Sequence, residues 1–290
     1  MTVLVTGATG HVGRLVVRGL LGAGVPVRAL TRGDGAGLPA GVEVARGDLR
    51  RPDGLADALR GVERMDLFPV AETAEEVVGR AVEAGVRRIA VLSSGAVTAG
   101  FDTDFHLPVE RAVERSGVEW THVRPGEFAL NRLWLWGPSV RKEGVVRDPE
   151  PDAAWNPVHE ADIADVAVAA LTGDGHAGKA YTFGGPHMVS RREQVEAIAR
   201  AVGRPVRFER VSPERAREYY RAQGGFAAEN ADMLLGFTDY GGGEADPKEW
   251  AQEAERAVRA MGEPETAEQA TGRPARTFEQ WARDHADDFR

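Results

Sequence analysis

Cysteine is absent from the 290 residues, which excludes disulfides, thiolate metal sites and a cysteine nucleophile. No apolar run is long enough to span a bilayer. With 42% hydrophobic and 28% charged residues and a mean hydropathy of −0.33, the chain reads as an ordinary globular protein with no membrane partner. Positive charge is in deficit, and a net charge of −9 argues against a nucleic-acid surface. The 7 histidines are scattered, with no H-x-x-x-H and no carboxylate pairing at ligand spacing, so no metal is expected. Tyrosine is scarce, with only Tyr181, Tyr219, Tyr220 and Tyr240. The amino terminus enters a strand directly and leaves no room for a signal peptide, from which a cytoplasmic location is expected.

What is present is a glycine-punctuated opening. Val3-Leu4-Val5 is a short apolar strand, and Thr6-Gly7-Ala8-Thr9-Gly10-His11-Val12-Gly13 turns from it into an amphipathic helix. Gly7 can take the tight turn, Gly10 lets backbone approach a pyrophosphate, and Gly13 lets the helix pack on the strand. The helix start offers unpaired N–H groups to the anion. Gly7, Thr9, Gly10, His11, Val12 and Gly13 are therefore candidate cofactor contacts, with a purely structural turn as the alternative.

Strand and helix then alternate. Strands are expected over 25–32, 42–49, 64–69, 88–94 and 119–124, and helices over 14–23, 52–59, 73–84 and 107–116. The fold class this predicts is α/β: a Rossmann-type doubly wound parallel sheet with a smaller, mostly helical C-terminal domain, its ligand at the carboxyl ends of the strands. Past Pro125 the alternation breaks. Residues 126–157, rich in Trp, Gly and Pro, read as an irregular lid or pocket wall rather than a sheet element. A helix over 163–171, a strand over 180–183, a helix opened by the Ser190/Glu193 capping box and ending at Gly203, and a strand over 206–211 follow. Beyond Pro213 the pattern is helical apart from Gly241-Gly242-Gly243. The expected division is 1–125 plus about 155–175 for the sheet domain, and 126–154 plus 176–290 for the smaller one.

At the end of the second strand a carboxylate would accept hydrogen bonds from both ribose hydroxyls and select NAD. Here Arg32 follows Thr31, and its planar cation suits a 2′-phosphate, so NADP(H) is favoured. Asp34 competes nearby, and a solvated loop cation is the alternative for Arg32. Phe68, Pro69, Ser93 and Pro125 close three later strands at the carboxyl edge and are also expected to contact the cofactor.

Several segments in order resemble the NmrA-like family of atypical short-chain dehydrogenase/reductases: the glycine turn, Arg46-Gly47-Asp48-Leu49, Val91-Leu92-Ser93-Ser94, Thr121-His122-Val123-Arg124-Pro125-Gly126-Glu127-Phe128, Glu160-Ala161-Asp162-Ile163-Ala164 and Thr271-Gly272-Arg273-Pro274-Ala275-Arg276-Thr277-Phe278-Glu279-Gln280-Trp281. The resemblance implies a Rossmann domain binding NAD(P)H, a small carboxy-terminal domain and a cleft between them. The family includes quinone and other small-molecule reductases alongside cofactor-binding regulators. Asp48 resembles the family residue beside the adenine, with Leu49 packing near it; capping of the following turn is the alternative for Asp48.

A typical member of the wider superfamily uses a Tyr acid with a Lys four residues later. This chain lacks that pair, since its tyrosines fall outside the helix after the fifth strand. Phe105-His106-Leu107-Pro108-Val109-Glu110 occupies the region, leaving His106 as the nearby proton donor. Ser94, beside Ser93, stands where a carbonyl-polarising hydroxyl belongs. A surface position for His106 and strand-end capping by the serines are the alternatives. Phe128, Trp134, Trp136 and Trp155 supply aromatic faces for a pocket wall, or else a small-domain core. His122 and His159 read as structural. The expectation is an NADPH-dependent reductase of a small aromatic, quinone or enone-type substrate, with small molecules as its only partners, acting as a monomer or homodimer. A non-redox biosynthetic enzyme (isomerase, dehydratase or cyclase) built around His106 and an NADP(H)-binding redox sensor are the alternatives.

Overall fold

A computed structural model describes residues 1–239, 241–246, 252 and 266–290; Tyr240 and the helical pattern expected across 247–251 and 253–265 lie outside the described residues. In chain order the strands are β1 (Thr2–Val5), β2 (Val27–Thr31), β3 (Glu43–Arg46), β4 (Val62–Leu67), β5 (Arg88–Leu92), β6 (Glu119–Pro125), β7 (Val145–Asp148), β8 (Ala154–Trp155), β9 (Lys179–Phe183), β10 (Val189–Ser190) and β11 (Arg207–Arg210). The helices used below are α1 (His11–Gly22), α2 (Ala56–Leu59), α3 (Ala74–Glu83), α4 (Gly95–Thr98), α5 (His106–Arg115), α6 (Asn131–Glu143), α7 (Glu160–Thr172), α8 (Arg191–Val202), α9 (Pro213–Gln223) and α10 (Gly225–Leu234).

The chain divides into two units. The first comprises Met1–Pro125, Glu160–Phe183 and the described part of Pro264–Arg273; the second comprises Gly126–His159, the described part of Gly184–Glu263, and Pro274–Arg290. In the first unit, seven strands form a parallel sheet in the order β3-β2-β1-β4-β5-β6-β9. Val3, Leu4 and Val5 are essentially inaccessible, as a parallel strand covered on both faces requires. On one face Leu4, Met65, Leu67, Ile89 and Val91 pack with Val77, Val78 and Ala81 of α3 and with Val109 and Val113 of α5. On the other, α1 and α7 lie against each other, closely enough that a Cβ on Gly19 would come within 2.8 Å of Val168 Cγ2. Successive strands after β1 are added to opposite sides of it. That reversal makes the carboxyl ends of β1 and β4 the switch point, where open α/β sheets bind ligands.

Two expectations need correction. The sheet domain does not stop near residue 175, because β9 pairs in parallel with β6 through Thr121↔Lys179 to Pro125↔Phe183 and buries Tyr181, Thr182 and Phe183. Residues 126–157 are not an irregular lid. They carry the 13-residue α6 and two short strands, β7 pairing in parallel with β11 and β8 antiparallel with β10. Pro138 inside α6 hid the helix from the sequence pattern. Proline has no N–H to offer the carbonyl four residues earlier, that of Trp134. The Gln223 side-chain amide of α9 donates to that carbonyl instead. Helix α6 ends where Gly144 adopts φ 65°.

The second unit has its own core of Trp136, Val140, Val195, Ile198, Tyr220, Phe278, Trp281 and Phe289. Helix α8 opens with the expected capping box: Ser190 Oγ accepts from Glu193 N (3.2 Å), and Glu193 Oε2 accepts from Ser190 N (2.7 Å).

Candidate active site

The turn after β1 is shaped by three glycines with separable roles. Gly7 has φ +60°, and a Cβ there would lie 3.3 Å from the Phe68 side chain. On Gly10 it would lie 3.1 Å from Gly7 O, and on Gly13 only 2.2 Å from the same oxygen. Backbone thus meets backbone at Gly13, and nothing but hydrogen fits. Gly10 N donates to Gly7 O (2.9 Å), and Gly10 stands as the N-cap of α1 with extended backbone and no side-chain cap bond, so the backbone of the turn runs directly into the helix start. Thr6 fixes the turn from below: its Oγ1 donates to Asp66 O (2.9 Å) and accepts from Phe68 N (2.7 Å).

Beside this turn a cavity of about 540 Å³ opens at the carboxyl edge of β1, β2 and β4. Gly7, Thr9, Gly10, Arg32, Asp48, Leu49 and Phe68 line it together. Phe68 is 44% exposed and gives the cavity an apolar ring face. Asp34 and Arg50 line it as well. Both aspartates are engaged in their own turns, Asp34 Oδ1 accepting from Ala36 N (3.1 Å) and Asp48 Oδ1 from Arg50 N (3.0 Å). The capping alternative for Asp48 is thus realised, while its place at the cavity is kept. Arg50 was not singled out from the sequence; its position two residues past Asp48 was the available signal. His11, Val12, Gly13, Pro69, Ser93 and Pro125 do not line this cavity. Pro69 and Pro125 are buried at their strand ends. Asp66, also overlooked, is buried beside the turn, and burial pushes its carboxyl up to about 7.

At the end of β5 the two serines part company. Ser93 is buried, and its hydroxyl donates to Glu110 Oε1 (2.5 Å). Arg124 grips the same carboxylate with two bonds, Nε to Oε1 (2.8 Å) and Nη2 to Oε2 (2.5 Å), and reaches Thr98 Oγ1 (3.2 Å). Burial would raise the Glu110 carboxyl; the bonds from Arg124, the neighbouring His122 and the Ser93 bond outweigh it and hold it below the usual range. Ser94 Oγ accepts from Ala96 N (3.1 Å) and caps α4, leaving its O–H as a donor. His122 is fully buried and depressed by desolvation; its Nε2 lies 3.1 Å from Glu114 Oε1. Packing of α5 on β6 therefore brings Glu110, Glu114 and His122 within 4.8 Å, a grouping no sequence spacing indicated. Both Glu110 oxygens already serve Arg124 and Ser93, which makes the group a hydrogen-bonded network within the fold.

His106 is the first residue of α5. A helix following a strand in such a sheet runs back from the carboxyl edge, so His106 stands on the same edge as the glycine turn. Its Nδ1 lies 2.5 Å from Asp102 Oδ2, while Asp102 Oδ1 accepts from Phe105 N (3.1 Å) and His106 N (2.9 Å). Burial disfavours the Asp102 charge, yet the bonds from the His106 ring and backbone keep the carboxyl below its ordinary value. Asp102 had been passed over, although an acid four residues before a helix-opening His is visible in the sequence.

The aromatic candidates all lie in the second unit. Phe128 is half-buried and bridges to Val158; Trp134 is half-buried, 4.7 Å from the Phe226 ring. Trp155 is half-buried in β8 opposite Val189. Trp136 belongs to the core, with the Arg132 guanidinium 4.7 Å over its ring, so for this residue the core alternative holds.

A parallel sheet with a glycine turn at its switch point defines a Rossmann-type nucleotide-binding protein. Residues 1–223 match the NmrA-like family. Over 99% of both chains, the protein is 40% identical to a (4-alkanoyl-5-oxo-2,5-dihydrofuran-3-yl)methyl phosphate reductase of Streptomyces griseus subsp. griseus. It is 33% identical, again over 99% of both, to an NAD(P)H azoreductase of Xenophilus azovorans. Among solved structures, a Citrobacter sp. triphenylmethane reductase complexed with NADP(H) shares the fold at a TM-score of 0.77 and 22% identity, covering 99% of this chain and 100% of its own. The chain belongs to the NmrA-like family and is an oxidoreductase. Among the described residues no helix is long and apolar enough to cross a membrane.

Proposed function

We propose that the protein is an NADPH-dependent reductase of a small, electron-poor conjugated acceptor of the quinone, enone or related aromatic type. The observation that carries this is the Gly7–Gly10–Gly13 turn, closed to a side chain at Gly13 and opening onto a cavity flanked by Arg32 and Arg50. The turn and the first residues of α1 would hold the diphosphate, Arg32 with Arg50 the 2′-phosphate, and Asp48, Leu49 and Phe68 the adenosine end, with Pro69 packed behind Phe68. Ser93 and Pro125 complete the carboxyl edge. NADPH, when bound, supplies a hydride.

This chain's own residues do the rest. Ser94 offers its O–H to the acceptor oxygen, and His106 delivers the proton that balances the charge. With a conjugated acceptor, alignment carries most of the catalysis, which accounts for the missing Tyr/Lys pair. The two full-length relatives support the acceptor class. One is named for reduction of an azo group, and the other for a phosphate ester that carries a ring alkene conjugated to two carbonyl groups. We place the protein in the cytoplasm, as a monomer or homodimer.

The test is absorbance-monitored NADPH oxidation across quinones, enones and azo dyes. Oxidation with at least one class is expected. Tight NADPH binding without oxidation by any of them would instead indicate a sensor, and substrate conversion without net NADPH change would indicate an acid/base enzyme.

A further inference from the structure

The Asp102–His106 pair is built more tightly than a helix cap needs. A cap acceptor requires one carboxylate oxygen, and Asp102 Oδ1 serves that purpose alone by accepting from the backbone N–H groups of Phe105 and His106. Oδ2 is left over and lies 2.5 Å from His106 Nδ1. The carboxylate is 1% exposed, so the second oxygen has exchanged water for the imidazole. Phe105 closes the ring from another side, edge-on at 4.7 Å between centroids and 85° between planes, while itself remaining 47% exposed. An ionised carboxylate can only accept, so the ring nitrogen facing it must carry the hydrogen. The other ring nitrogen, Nε2, is the one left for exchange.

We propose that Asp102 is a positioning residue that holds His106 as the Nδ1–H tautomer and presents Nε2 as the atom that exchanges the proton. This rests on the reading of His106 as proton donor. In the step, the Nε2–H bond of the imidazolium breaks, an O–H bond forms on the reduced acceptor, and the ring is left neutral with its hydrogen already on Nδ1. No rotation or second proton shift is needed, and the ring regains its proton from water at Nε2.

The test combines ¹⁵N NMR of histidine-labelled full-length protein with kinetics. In the wild type the neutral His106 ring should carry its proton on Nδ1. In Asp102→Asn the Oδ1 atom keeps the helix cap, the amide NH₂ faces Nδ1, and the proton should move to Nε2. In Asp102→Ser the cap is kept by a side chain too short to reach the ring, and the tautomer preference should relax to that of free histidine. Turnover of Asp102→Asn should fall at least tenfold with NADPH affinity unchanged. An Asp102→Asn ring that keeps the wild-type tautomer would overturn the proposal, as would wild-type turnover in Asp102→Asn alongside a slowed His106→Phe. A tautomer that switches as expected while His106→Phe turns over normally would support the positioning and overturn only the donor role.

Discussion

Helix α1 allows the same substitution to be made twice with opposite expected signs. At Gly13 an added Cβ would sit 2.2 Å from Gly7 O, 2.8 Å from Gly7 C and 3.0 Å from Ala8 Cα. The oxygen is 0.8 Å inside the 3.0 Å that Cβ atoms essentially never breach, and the obstacle is backbone on both sides. Gly13→Ala must therefore push the helix start away from the turn by most of an ångström. Overpacking of this kind costs roughly 1–3 kcal/mol. The displaced groups are those proposed to face the diphosphate, so NADPH affinity should fall at least about tenfold, equivalent to ~1.4 kcal/mol. At Gly22, in the last turn of the same helix, an added Cβ meets nothing within 4 Å. Gly22→Ala should raise stability by up to about 0.5–1 kcal/mol through helix propensity and leave binding unchanged. Urea unfolding and fluorescence titration with NADPH read both effects. If Gly13→Ala unfolds and binds like the wild type, the proposed function of the turn is wrong, whatever Gly22→Ala does.

Four further outcomes follow from the structure. Arg32→Ala should weaken NADPH by roughly 10–100-fold, the range for losing a hydrogen bond to a charged group, and leave NADH nearly unaffected; equal losses for the two would remove the phosphate contact. Asp66, raised from 3.8 to about 7 by burial, keeps its proton in the folded state after the unfolded chain has lost it, so its contribution falls as pH rises from about 4 and levels off above about 7. Asp66→Asn should therefore gain on the wild type across that window by an amount of order 4 kcal/mol at most, and a pH-independent difference in urea unfolding would refute this. Glu110→Ala leaves Arg124 without its carboxylate and should cost roughly 3–5 kcal/mol, whereas an exposed-pair cost below about 1 kcal/mol would show the network to be loosely held. Gln223→Ala should cost about 1 kcal/mol in the wild type and less in a Pro138→Ala background, where an N–H returns to the Trp134 carbonyl; additive losses in the double-mutant cycle would contradict that pairing.

Strands β1 and β5 were legible as short runs rich in Val, Leu, Ile and Ala, each followed by a turn and a helix start. The glycine turn was legible for the same local reason. What the pattern concealed was every feature made by distance. Helix α6 contains Pro138, and the carbonyl that proline cannot serve accepts from Gln223, 89 residues away. Strand β9 is short and ordinary by composition, and only pairing with β6 makes it part of the large sheet. Glu110, Arg124 and Ser93 are unremarkable surface-type residues in sequence and become a buried cluster only when α5 settles on β6. Asp102 stands only four residues before His106, so the expectation that no histidine has a carboxylate partner at short spacing fails at this pair.

Thr6, the first residue past β1, grips the end of β4 at Asp66 and Phe68 with a single hydroxyl that both gives and receives. Thr6 N also donates to Asp66 O (3.0 Å), so the hydroxyl adds a second, fixed-length tie across the seam and presets the aperture of the crevice above it. A visitor therefore meets a gap already cut to size and spends little of its affinity on closing it. Valine matches threonine in shape and would keep the backbone bond to Asp66 O, but it would lose both hydroxyl bonds, so the setting of the gap would loosen before the strands parted.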